Sequence, residues 1–172
     1  MKKFVFINLI IAIVVSVVGC SCKPAFEQQR EATVEYLRAY NEIDNDLDDV
    51  LDSIMSSLEP TLVPDLLQLD RVLTQWLSAY QGGLYRINEL KAPTDETLAH
   101  IQAYKKWLQD MISAIQRLQV AFSSGNQDII AKAYGDLDNV GSQASLMNRL
   151  TESLMVKYNI PDTEVNYKFR GK

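Results

Sequence analysis

Three stretches carry side chains with chemistry to offer: Cys20-Ser21-Cys22, the acidic run from Asn41 to Asp52, and the lone histidine, His100. Two cysteines one residue apart suggest a redox pair, a metal clip or a disulfide. A Cys20–Cys22 disulfide closes a strained small ring. A two-cysteine metal site has no partner ligands, because His100 is the only histidine in the chain.

The acidic run, NEIDNDLDDVLD, invites a calcium reading. Laid on an EF-hand loop, Asp44, Asp46 and Asp48 take positions 1, 3 and 5. The turn glycine is then replaced by Asp49 and the bidentate glutamate by Met55. Ile43, Leu47, Val50, Leu51 and Ile54 keep helical spacing straight through the run. A solvated acidic helix face is the expectation.

His100 has no Cys, Asp or Glu set at ligand spacing. A haem pairing with Met55, Met111, Met147 or Met155 competes with the use of those methionines to fill a core, and core filling is the expectation. The chain shows neither a Gly-x-Ser-x-Gly elbow nor a phosphate-cradling glycine loop. No acid–base pair or nucleophile with a visible base emerges, so no enzyme activity, metal or cofactor is expected. Tyr36, Tyr40, Trp76, Tyr80, Tyr104 and Trp107 form an aromatic set facing the small residues Gly141 and Ala144. A ligand cavity between helices and large-against-small core packing both account for it.

The elements that position these residues are helical. Leu66, Leu69, Leu73, Trp76, Tyr80, Gly83, Ile87 and Leu90 are spaced alternately three and four apart. The same rhythm runs from Ile101 to Phe122 and from Ile130 through Thr151 to Tyr158, and more broadly from Thr33 to Leu58. Such stripes suit bundles with shallow crossing angles. Breaks fall at Glu59 to Pro64, at Lys91 to Thr94, at Ser123 to Asn126 and at Asn159 to Asp162. The predicted helices cover about 25–59, 62–91, 95–123 and 127–158, each about 45 Å long. Short connections join antiparallel neighbours. The fold expected is all-α, an up-down-up-down antiparallel four-helix bundle over 25–160 with a basic tail over 161–172.

Gly82-Gly83 conflicts locally with this, since two glycines inside a helix cost ~2 kcal/mol relative to alanine. The stripe nevertheless runs through Gly83. Either Gly83 makes room for a ring, Tyr40 being level with it, or the pair is a flexible point.

Ahead of the helices, Met1-Lys2-Lys3 precedes fifteen residues, Phe4 to Val18, of which only Asn8 and Ser16 are polar. That run is short of the ~20 residues of a bilayer span. A charged start, a short apolar run and a small residue, Gly19, describe a secretory signal over 1–19. Val17-Val18-Gly19-Cys20 then resembles the lipobox of bacterial lipoprotein precursors. The resemblance implies diacylglycerol on the Cys20 thiol, cleavage before it, and fatty acyl chains such as palmitate as the anchor. It implies a lipid-anchored protein on the extracytoplasmic side of the cell membrane or the outer membrane. An uncleaved signal anchor is the competing reading, and it too places the remainder outside the cytoplasm. Ser21, rather than Asp, follows the lipidated position, which permits outer-membrane sorting in a two-membrane cell. Residues 20–24 become a short tether, and Cys22 a spare thiol, free or cross-linked.

The 153 residues from Cys20 onward suit one domain. Without Lys2 and Lys3 the formal charge moves from −5 to −7, and residues 24–60 alone hold ten acids against two bases. Nucleic acid is a poor partner for such a chain. Leu84 to His100 loosely resembles a stretch of small helical bacterial lipoproteins of unknown function. The tail bases Lys168, Arg170 and Lys172 are candidates for membrane contact, against the alternative of a frayed terminus. The expectation is a non-catalytic envelope lipoprotein that binds an unknown protein partner or supports the envelope. The runner-up is a small-molecule or metal-ion binding bundle.

Overall fold

The computed structural model describes residues 24–56 and 66–167. Residues 1–19, Cys20, Cys22, the break expected at Glu59 to Pro64, and Lys168, Arg170 and Lys172 lie outside the described residues. Among the described residues every regular element is a helix: α1 (Ala25–Ser56), α2 (Leu66–Glu89), α3 (Asp95–Ser124), α4 (Gln127–Ser142), α5 (Ala144–Tyr158) and α6 (Asp162–Val165).

Local chemistry accounts for most of the boundaries. Pro24 opens α1, its carbonyl accepting from the amides of Glu27 and Gln28 at 2.8 and 3.2 Å. Thr94 caps α3 through a reciprocal box with Thr97, and Asp95 and Glu96 sit at the positive end of the helix dipole. Gly125 ends α3 at φ 64°, a left-handed conformation that glycine adopts without strain. Asn126 then caps α4 by accepting from the amides of Asp128 and Ile129.

The fourth predicted segment, 127–158, is two helices meeting at Gln143. Gln143 N–H bonds to the Val140 carbonyl and Leu146 N–H to the Gln143 carbonyl, three residues apart instead of four. Gly141 weakens the helix here, and the Ser142 and Ser145 hydroxyls back-bond to the carbonyls of Asn139 and Ser142. The Val140 carbonyl, at this tightened turn, also accepts from the Trp107 indole at 3.1 Å.

Beyond Tyr158 the described chain continues to Tyr167, into the first part of the stretch 161–172 expected as a basic tail. Asn159, left-handed at φ 51°, turns the chain, and α6 lies back on α1. Val165 is fully buried, and its carbonyl accepts from Asn41 Nδ2 at 2.8 Å. Glu164 takes Arg30 with both oxygens, at 3.2 and 2.6 Å, and gives its carbonyl to Arg38 Nε at 2.8 Å.

α3 is the central element, packed against α2, α4 and α5, while α1 packs against α2, α5 and α6. Leu108, Ala114 and Ile115 of α3 are wholly enclosed. Each fully buried leucine or isoleucine contributes about 1.5–3 kcal/mol. Levels between helices are marked by Asp46 with Arg86 (2.6 Å), Thr74 with Gln119 (3.2 Å) and His100 with Thr151 (2.9 Å). Gly82 and Gly83 lie inside the unbroken α2. A Cβ on Gly83 would meet Leu47 at 3.7 Å and Leu108 at 3.9 Å, so the space beside it belongs to leucines and not to the Tyr40 ring.

Candidate functional site

Two interior polar side chains converge on His100, in the second turn of α3 behind the Thr94 cap and one residue before the 3-4 stripe that starts at Ile101. Only 2% of His100 is exposed. Its Nδ1 lies 2.6 Å from the Tyr36 hydroxyl and its Nε2 2.9 Å from Thr151 Oγ1. The Thr151 hydroxyl hydrogen is committed to the Met147 carbonyl at 3.1 Å, so its oxygen accepts from His100. The imidazole therefore carries its proton on Nε2, and Nδ1 accepts from Tyr36. Burial lowers the His100 pKa to about 4 and pushes the Tyr36 phenol up.

Rings continue the layer. Tyr40 meets His100 edge-on at 4.5 Å and Tyr104 at 4.9 Å; Trp107 follows at 5.4 Å from Tyr104, and Tyr80 at 5.9 Å from Trp107. Five of the six aromatic residues expected to form a set are thus in a chain of contacts with His100 among them. Trp76 stands apart, at the mouth of a surface crevice.

The acidic run divides. Asp44 turns inward, 8% exposed, and accepts from the Tyr104 hydroxyl at 2.6 Å. Asp46 turns outward to Arg86, which also lies 3.5 Å from Glu42. The expected solvated face is thus correct for Asp46 and not for Asp44. Among the described residues no three His, Cys, Asp or Glu side chains converge as metal ligands do.

Chemically, the His100 layer is a set of matched donors and acceptors. Both imidazole nitrogens are engaged, and a substrate reaches neither without displacing Tyr36 or Thr151. Sequence reasoning placed Thr151 on a core stripe but did not pair it with His100. The signal was partial, a hydroxyl in an apolar stripe and a histidine just before the start of the facing one. Asn41 and Asp44 had no such signal, since both read as part of a polar run.

Surface grooves lie elsewhere. One of about 440 Å³ between α1 and α2 includes Leu47, Gly83 and Arg86. Another, of about 320 Å³, is bounded by α1, α2, α3 and α4 and includes Trp76, Tyr80 and Gly141. Among the described residues no helix is long and apolar enough to cross a membrane. No protein family, curated protein or solved structure matches this chain.

Proposed function

We propose that this chain is a bacterial lipoprotein: a non-catalytic helical bundle held by diacylglycerol on Cys20 at the extracytoplasmic face of the cell membrane or the outer membrane. It acts there by binding a protein partner or supporting the envelope. The observation that carries the reading is the order Lys2-Lys3, the apolar run Phe4–Val18, then Val17-Val18-Gly19-Cys20. α1 begins only five residues after Cys20, so the body would sit close to the bilayer. The up-down-up-down order of the four segments belongs to the same proposal. It is supported by the pairs Thr74–Gln119 and His100–Thr151, which match earlier residues of one segment with late residues of the next.

Membrane contact by Lys168, Arg170 and Lys172 acquires a geometric condition. Val165 bonds to Asn41, sixteen residues and so about 24 Å of helix from Ala25. From Val165, Lys168, Arg170 and Lys172 lie three, five and seven residues on, a reach of about 10, 17 and 24 Å at most. For all three bases to meet headgroups, the body must lie along the surface rather than stand on it.

The test is metabolic labelling with a radioactive fatty acid, together with the mass of the mature chain. Label on the parent, loss of label in Cys20→Ser, and a mature mass starting at lipid-modified Cys20 are expected. An unlabelled chain that keeps residues 1–19 sinks the reading. The second reading, a ligand-binding bundle, is favoured by one observation: Trp76, Tyr80 and Gly141 of the aromatic-and-small set do line a common crevice.

A further inference from the structure

The crevice of about 320 Å³ has a composition that the other surface grooves lack. It is lined by Trp76 and Tyr80 of α2, Met111 of α3, and Tyr134, Asp138 and Gly141 of α4. Three aromatic rings, a thioether and one carboxylate thus face one space, at the small end of the size range of ligand pockets. No lysine or arginine lines it, whereas Arg86 borders the α1–α2 groove and Arg117 and Lys132 border the α3–α4 groove.

Two polar groups here are left over from folding. The indole Nε1 of Trp76 is buried without a hydrogen-bond partner, whereas the indole of the other tryptophan, Trp107, is bonded to the Val140 carbonyl at 3.1 Å. A buried donor without an acceptor is rare and calls for an explanation. Asp138 has neither an ion pair nor a side-chain hydrogen bond among the described residues, although Asp136, two residues away, pairs with Arg117 at 3.6 Å. Tyr134 is held in place by an edge-on contact with Phe122 at 5.7 Å. A Cβ on Gly141 would meet nothing within 4 Å, so there is open space beside the α4 wall at this residue.

We propose that this crevice binds a small organic cation of the quaternary ammonium class. The ring faces of tryptophan and tyrosine attract such a cation through their quadrupoles, and methylated ammonium groups suit apolar walls because they shed water easily. Asp138 balances the charge at the rim. This site is independent of lipidation at Cys20 and of the His100 layer, which is closed to solvent.

The experiment uses the full chain, ¹⁵N-labelled in detergent micelles and titrated with choline chloride. The two indole N–H resonances are followed, assigned with Trp76→Phe. The Trp76 resonance moves saturably while that of Trp107, already bonded, stays. The neutral isostere 3,3-dimethylbutan-1-ol binds about tenfold more weakly, because it lacks the cation. Asp138→Asn weakens choline about threefold, as expected for a partly exposed charge pair. Gly141→Leu fills the crevice and abolishes the shift, with circular dichroism checking that the helices persist. A Trp76 resonance that does not move saturably overturns the proposal. So does equal affinity for the alcohol, or unchanged choline binding in folded Gly141→Leu.

Discussion

Tyr36 donates its hydroxyl to the unprotonated Nδ1 of His100 across 2.6 Å, so a proton added to that imidazole displaces a hydrogen bond instead of making one. The unfolded chain takes up that proton near the ordinary value of 6.5, the folded one only near 4. Between those values the unfolded state binds more protons, and stability falls as pH falls. The full loss is about 3 kcal/mol, complete below pH 4. Urea unfolding from pH 7.5 to 4 measures it. His100→Gln should flatten the slope in that window while lowering stability at pH 7.

A second, lower window belongs to Glu96. Lys157, hydrogen-bonded to it, holds its carboxyl down at about 2, below the ordinary 4.5. The pair stabilises fully above pH 4.5 and loses that contribution as pH falls toward 2. Both side chains are about half exposed, so the effect should be screened by salt. Glu96→Gln should remove the salt dependence of unfolding in this window and leave the 4–6.5 window intact.

Tyr104→Phe removes a donor from the buried carboxylate of Asp44. A loss of about 2 kcal/mol is expected in chemical denaturation, larger than for a neutral surface hydrogen bond. If Tyr104→Phe and Asp44→Asn are combined, the losses should fall short of their sum, because they act on one bond.

Gly82 and Gly83 offer the opposite sign. Nothing lies within 4 Å of a Cβ on Gly82, and a Cβ on Gly83 makes ordinary van der Waals contact. Gly82→Ala and Gly83→Ala should each raise stability by about 0.5–1 kcal/mol in thermal or urea unfolding. A destabilised Gly83→Ala would show that Leu47 and Leu108 cannot accommodate the methyl group.

Val165→Ala empties a fully enclosed site between α6 and α1, and about 2 kcal/mol should be lost. Ending the chain at Ile160 should cost more, because Asn41, Arg30 and Arg38 all lose their α6 partners.

The all-helical class and most helix ends were legible because their causes are local. Thr94, Gly125 and Asn126 act on their own turns, and the 3-4 stripes need no knowledge of partners. The break at Gln143 was hidden because Val140, Ala144 and Met147 keep the stripe in phase across it. Asp44 was misjudged for a different reason: its charge speaks for solvent, and only packing brings the Tyr104 hydroxyl to it. α6 is four residues long, too short to show a period, and its partner Arg30 stands 134 residues away in the chain. The crevice at Trp76 was half legible, as aromatics opposite small residues. Tyr134 and Asp138 were missed because they sit off the apolar stripe of α4.

The clasp of α6 on α1 also sets an order in time. Arg30 leaves the ribosome first, and Glu164 follows 134 residues later. Until α6 emerges, the outward side of α1 around Arg30, Arg38 and Asn41 has no cover, however well the other helices have packed. A chain threaded through an export channel from its N-terminus meets the same schedule. A polypeptide that stops before α6 leaves the flank of its first helix around Arg30, Arg38 and Asn41 uncovered, whatever the other helices have already achieved.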